Sequence, residues 1–194
     1  EEMTLLIPEY CRTMRVMREI PPERLVKGIT RIDIRREVEK NLRKKKMFVR
    51  EIRMRELGFS QQFYKKIDEH IILKIMEYEA SHGKEFFLQF VNKDNILFGL
   101  LRMRFPYNGF GSLHDCAVVR ELHVYGQSLN IGEKGKEGQH RGIGKRLMKA
   151  AETLALQHGH KKLAVISGVG VREYYRKLGY VLDDEGIYMV KILN

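Results

Sequence analysis

Apolar positions along this chain follow two periods, and the switch between them marks its organisation. In ITRIDIRREVEKNLRKKKMFV, Ile34, Val38 and Leu42 recur at helical spacing and predict a helix from about Asp33. Further on, the apolar runs KEFFLQFVN and ILFGLLRMRF are separated by KDN, the pattern of a β-hairpin. CAVVRELHVYG alternates as a strand does. That places Val118, Arg120, Leu122 and Val124 on one face and Val119, Glu121 and His123 on the other. Leu147, Ala150, Ala151, Leu154 and Ala155 form a helical stripe. KLAVISG reads as a short buried strand, VREYYRKLG as a short helix and IYMVKIL as a last strand. HIILKIMEYEA fits either period. The pattern predicts an α/β (α+β) domain over 58–194, a mixed sheet with flanking helices. A basic helical linker precedes it over 1–57 and holds three of the four prolines, Pro8, Pro21 and Pro22. No internal repeat or low-complexity segment is visible.

Charge sharpens the picture of the first segment. The chain carries 36 Lys and Arg against 25 Asp and Glu, a formal net charge of +11, which suits an anionic partner such as nucleic acid. Arg35, Arg36, Lys40, Arg43, Lys44, Lys45 and Lys46 lie on or just past the first helix, and Arg50, Arg53 and Arg55 follow in VREIRMREL. That density reads as a surface for phosphate backbone or as a solvated charged face. The two cysteines, Cys11 and Cys116, are far apart, which argues for plain buried thiols in a reducing cytoplasm and against a disulfide framework. No apolar run approaches the roughly 18 residues of a membrane span, so no membrane partner is expected. The chain opens on EEMTLL without an initiator Met, so a fragment of a longer protein is expected.

Candidate chemistry concentrates in EGQHRGIGKRLMKAAETLALQHG, a glycine-rich cationic turn before a helix. A P-loop fails here, because its first glycine would fall on Gln139 and its Ser/Thr on Arg146. The dinucleotide fingerprint fails at its third glycine, which would be Leu147. The pattern Q/R-x-x-G-x-G/A is met in full by Gln139, Gly142 and Gly144, and it resembles the pyrophosphate loop of GCN5-related N-acetyltransferases. Glycines let backbone N–H groups approach one anion, and the helix N-terminus adds partial positive charge. The resemblance implies acetyl-CoA as cofactor, held by Gln139, His140, Arg141, Gly142, Ile143, Gly144, Lys145 and Arg146. It also implies that Glu121, Leu122, His123 and Val124 run along the pantetheine and acetyl end. Tyr175 falls where such folds keep a proton donor for the leaving thiolate. Tyr174 is either a packed aromatic or a substrate-side group. Family strand order also assigns HIILKIMEYEA to a strand.

RELHVYG, QHRGIGKRLM, AVISGVGVREYYRKLGY and YMVKIL together are similar to the acetyltransferase domain of the catalytic subunit of Elongator, and CRTMRVMREIP and VREIRMRELG are similar to the segment before it. This resemblance covers nearly the whole chain. It implies C5 modification of the wobble uridine of tRNA, with tRNA-dependent acetyl-CoA hydrolysis supplying the acetyl group. It implies tRNA, a radical S-adenosylmethionine domain of the same protein and other Elongator subunits as partners. S-adenosylmethionine and the 4Fe–4S cluster would belong to that other domain, since two distant cysteines cannot hold a cluster. Many family members carry clustered linker cysteines for zinc. Here Val49, Glu51 and Met54 stand in the corresponding stretch, so no metal is expected. Lysine acetylation of proteins is the alternative, with Glu121 or His123 as base. Glu121 in a salt bridge to Arg120 or Arg172, and His123 as a satisfied half-buried histidine, are the structural alternatives. A non-catalytic nucleic-acid module is a third reading.

Overall fold

The computed structural model describes residues 1–16, 20–28, 34–106, 113–126 and 142–194. The chain divides into two compact units, Glu1–Lys65 and Lys66–Asn194. The composition shift near position 57 falls inside the first unit, at the start of a short helix.

The first unit contains α1 (Glu2–Leu6), a 3-10 turn (Pro22–Arg24), α2 (Ile34–Lys44), α3 (Ile52–Arg55) and α4 (Leu57–Ser60). The expected start of α2 at Asp33 lies outside the described residues; the helix is described from Ile34. Leu42 of the expected stripe is fully buried. The helix ends because Lys46 turns left-handed (φ 54°), so the N–H groups of Met47 and Lys46 bond back to the carbonyls of Leu42 and Arg43, both at 2.9 Å. Glu51 caps α3, accepting from Arg53 N at 3.2 Å and Met54 N at 3.1 Å. The same buried carboxylate takes Thr13 N at 3.1 Å and the Arg35 guanidinium at 3.2 Å. One charged side chain thus fixes three segments of this unit.

The second unit is a seven-stranded sheet in the order β1-β2-β3-β4-β5-β7-β6. Its strands are β1 (Ile72–Ala80), β2 (Gly83–Val91), β3 (Leu97–Phe105), β4 (Ala117–Val124), β5 (Lys162–Ile166), β6 (Val181–Leu182) and β7 (Tyr188–Ile192). HIILKIMEYEA therefore forms a strand, and KDN lies in the turn between β2 and β3. Antiparallel ladders join β1 through β4. β4 and β5 are parallel and need a crossover, which contains α5 (Ile143–Gln157). The short α6 (Arg172–Arg176) follows β5. On α5, Leu147, Ala151 and Ala155 of the expected stripe are buried with Ile143 and Met148, while Ala150 and Leu154 sit at its half-buried margin. The helix lies close to β3, since a side chain at Gly99 would meet Ile143 Cγ2 at 2.7 Å and Leu147 Cδ1 at 3.3 Å.

Strict alternation fails in β4. Arg102 pairs with Glu121, whereas Met103 pairs with Val119, so Arg120 is an extra residue in the ladder. This bulge puts Arg120 and Glu121 on one face together with Val118 and His123. Leu122 and Val124 move to the α5 face with Val119. The face assignment expected from the sequence is corrected accordingly, because one unpaired residue reverses the phase of every position after it.

Candidate active site

The bulge sits where β4 leaves its neighbour. β4 pairs with β5 only through Ala117, Val118 and Val119. Beyond Arg120, residues Glu121 to Val124 keep their ladder with β3 but have no partner in β5. Among the described residues the result is a slot beside one edge of β4.

The N-terminus of α5 stands at the Val124 end of this slot. Gly142 caps the helix with φ 92°, a left-handed conformation that suits glycine, and no side chain caps it. Ile143 is buried and anchors the turn. Gly144 is needed for closeness, because a Cβ there would lie 2.8 Å from the Tyr174 hydroxyl and 3.5 Å from Val124 Cγ2. The first turn holds no acid, and Lys145 and Arg146 are exposed in it. Arg146 lies 4.2 Å over the Phe90 ring, which limits where its charge can go. The N–H groups of the helix start, the helix dipole and two cations meet here, a constellation suited to phosphate oxygens. Gln139, His140 and Arg141 lie outside the described residues.

On the face opposite α5, Glu121 lies 2.6 Å from Arg102 Nε and 3.4 Å from His123 Nε2. Neither expected partner of Glu121 is used. Arg120 pairs with Glu85 at 2.6 Å, and Arg172 donates to the Gly186 carbonyl at 2.9 Å. His123 is exposed rather than half-buried, its ring stacked with Tyr125 at 6.2 Å. Tyr175 is 6% exposed and meets Tyr174 and Tyr180 edge-on, at 5.2 and 6.1 Å. Tyr174 is 38% exposed and carries the hydroxyl that covers Gly144. Burial pushes both phenols above the usual tyrosine range, and the neighbouring Tyr174 adds to the effect on Tyr175. Behind them the Tyr180 hydroxyl donates to Glu152 at 3.0 Å, and Lys191 reaches the same carboxylate at 2.8 Å. That network ties α5 to β7.

A family model for the acetyltransferase (GNAT) family matches residues 47–180. The chain belongs to the GNAT acetyltransferase family. It is 43% identical over 198 residues to the tRNA uridine(34) acetyltransferase of Methanocaldococcus infernus, a match that covers 97% of this chain and 36% of that protein. It is 39% identical over 195 residues to Elongator complex protein 3 of Schizosaccharomyces pombe, again over 97% of this chain and 36% of the relative. Among solved structures, an N-terminally truncated Elp3 of Methanocaldococcus infernus superposes with a TM-score of 0.85 at 40% identity, covering 98% of this chain and 46% of that one. The chain thus spans little more than a third of the length of these curated relatives.

In this GNAT chain the cations singled out from the sequence divide into two groups. Arg35 is spent internally on Glu39 at 2.6 Å, on Glu51 and on the backbone carbonyl of Thr13. Arg55 is buried, donating to the carbonyls of Arg50 at 2.8 Å and Glu9 at 3.0 Å. Arg43 lies 3.5 Å over Phe63 and 4.6 Å over Phe59. Arg36, Lys40, Lys44, Lys45, Lys46, Arg50 and Arg53 are exposed; among these, Lys45 pairs with Glu1, and Arg53 lies 3.9 Å from Glu39. Cys116 is buried, and its thiol is pushed up to about 11 by desolvation. Cys11 is half-buried, and its carbonyl accepts from Ile52 N at 2.9 Å.

Glu85, Arg102 and Arg104 were not singled out from the sequence. Their signal was present, because a charged residue inside a run as apolar as KEFFLQFVN or ILFGLLRMRF must find a partner across the sheet.

Proposed function

We propose that this chain binds acetyl-CoA in the β4–β5 slot and releases its acetyl group for modification of a tRNA uridine. The observation that carries the reading is the coincidence of the slot with the α5 N-terminus. The open edge of Glu121 to Val124 leads directly to Gly144 and Tyr174. The residues fit the cofactor. The β4 edge offers backbone groups to an amide-bearing arm, and the acid-free first turn of α5 offers N–H groups, Lys145 and Arg146 to phosphates. The motif assigns Gln139, His140 and Arg141, which lie outside the described residues, to the same phosphates.

Acetyl-CoA supplies an activated acetyl thioester. The chain's own residues would do the rest. Tyr175 keeps its proton through neutral pH and is suited to give it to a departing thiolate. Glu121, held by Arg102, and His123 face the other side of β4 and orient a water or an acceptor group. tRNA as acceptor is supported by the names of the relatives and by the exposed cations of the first unit. The radical S-adenosylmethionine step, with its 4Fe–4S cluster, is assigned to protein outside this chain.

The test is acetyl-CoA hydrolysis by this chain with and without tRNA, beside a histone-type peptide as acceptor. The expected result is stimulation by tRNA and no peptide acetylation above background. Peptide acetylation that ignores tRNA would instead identify a protein acetyltransferase.

A further inference from the structure

Arg120, the extra residue of the β4 bulge, is held in an unusual way. Its guanidinium lies 2.6 Å from Glu85 Oε1, and Arg104 lies 2.7 Å from the same oxygen. Glu85 is 2% exposed on β2, two strands away from β4. Arg104 also donates to the carbonyls of Ala80 at 3.0 Å and Ser81 at 2.7 Å, so it is a fixed structural member that already neutralises Glu85. Arg120 adds a second guanidinium to the same oxygen, while Glu85 Oε2 is buried without a hydrogen-bond partner among the described residues. Within this ion-pair cluster Arg102, Arg104 and Arg120 oppose Glu85 and Glu121, three cations to two carboxylates. The side chain of Arg120 is 48% exposed, against 19% for Arg104, so the surplus is presented outward by Arg120.

Its position limits what anion it serves. The phosphate-suited N-terminus of α5 adjoins Val124, at the far end of the slot and on the opposite face of the sheet. Arg120 marks the inner end, beside Glu121. An anion there belongs to the acceptor rather than to the cofactor.

We propose that Arg120, aimed by the buried Glu85, contacts a backbone phosphate of the RNA acceptor next to the acetyl end of the slot. Glu85 is a positioning residue for this contact. The inference rests on the acetyl-CoA reading of the slot and extends it by naming an acceptor contact. An arginine anchored through one nitrogen keeps its remaining N–H groups for a phosphate and loses little freedom on binding it.

The experiment measures tRNA affinity of this chain by fluorescence anisotropy across a salt series, with acetyl-CoA affinity and melting temperature read on the same samples. Arg120→Gln is expected to weaken tRNA binding by about 5- to 10-fold and to reduce the log–log salt slope by about 0.7–0.9. Arg104 still neutralises Glu85 in that variant, so the loss falls on tRNA and not on acetyl-CoA. Arg120→Lys is expected to restore the slope but only part of the affinity. Glu85→Gln should weaken tRNA binding in the same direction, and adding it to Arg120→Gln should cost little more. An unchanged tRNA affinity and slope in Arg120→Gln overturns the proposal. So does a parallel loss of acetyl-CoA affinity, which would make the arginine a bolt for the strand. Acetyl-CoA binding without tRNA binding by the unaltered chain overturns this contact alone, whereas failure to bind acetyl-CoA overturns the reading beneath it.

Discussion

Adjacent tyrosines have opposite situations at the slot, and that separates their expected roles. The Tyr174 hydroxyl covers Gly144 and lies near Val124, at the mouth. Tyr175 is buried between Tyr174 and Tyr180. Tyr174→Phe should therefore raise KM for acetyl-CoA with little change in kcat. Tyr175→Phe should lower kcat by about 100-fold or more, the usual scale for losing a general acid. Steady-state kinetics of the two variants check this split, and an equal loss of kcat in both would contradict it. The pH dependence has a definite sign. Both folded-state phenol pKa values lie above the ordinary value of 10.0. The neutral phenols' contribution is thus complete below about pH 10 and lost as pH rises through the folded values. Any fall of kcat due to Tyr175 should begin above pH 10, and absorbance titration of the native protein should show these phenols ionising late. Gly142 and Gly144 stood out in the sequence because a short motif sets their spacing, whereas Tyr175 stood out only through the family resemblance. The hydroxyl of Tyr174 over Gly144 did not, since it depends on how α6 docks.

At the scale of elements, periodicity found α2, α5 and most of the longer strands, left β1 to the family resemblance, and missed the way one strand bends. An extra residue in a ladder leaves no trace in composition, so CAVVRELHVYG read as a regular strand. The inward turn of Arg35 and Arg55 was equally hidden, because an arginine that binds carbonyls looks in sequence like one that faces solvent. α5 offers a test of how tightly the slot is built. Gly99→Ala would place a Cβ 2.7 Å from Ile143 Cγ2 and 3.1 Å from the His123 carbonyl. It should cost about 1–3 kcal/mol of stability through overpacking. Because Ile143 anchors the turn proposed to hold the phosphates, acetyl-CoA affinity should fall with it. Calorimetric melting and titration measure the two effects, and a variant as stable as the parent would show that the helix sits further from β3.

For the whole molecule, net charge said that an anion was wanted but not which cations would meet it. In the first unit the exposed Lys44, Lys46 and Arg50 are available, while Arg55 is a core residue. Replacing those three with Gln should lower the salt slope of tRNA binding by about 2–3, at 0.7–0.9 for each contact. Arg55→Gln should leave the slope alone and cost about 1–3 kcal/mol of stability by stripping the carbonyls of Arg50 and Glu9 of their donor. Salt-dependent binding curves beside melting curves distinguish the two kinds of arginine. The slot has its own consequence at this scale. Within the sheet, three paired positions join the ribbon β1–β4 to the ribbon β5–β7. A molecule lying along β4 would act as an inserted strand and brace the two ribbons against opening independently. Backbone amides of Leu163, Ala164 and Val165 should then exchange hydrogen more slowly once the slot is filled, which would make the cofactor part of the sheet's architecture as well as its reagent.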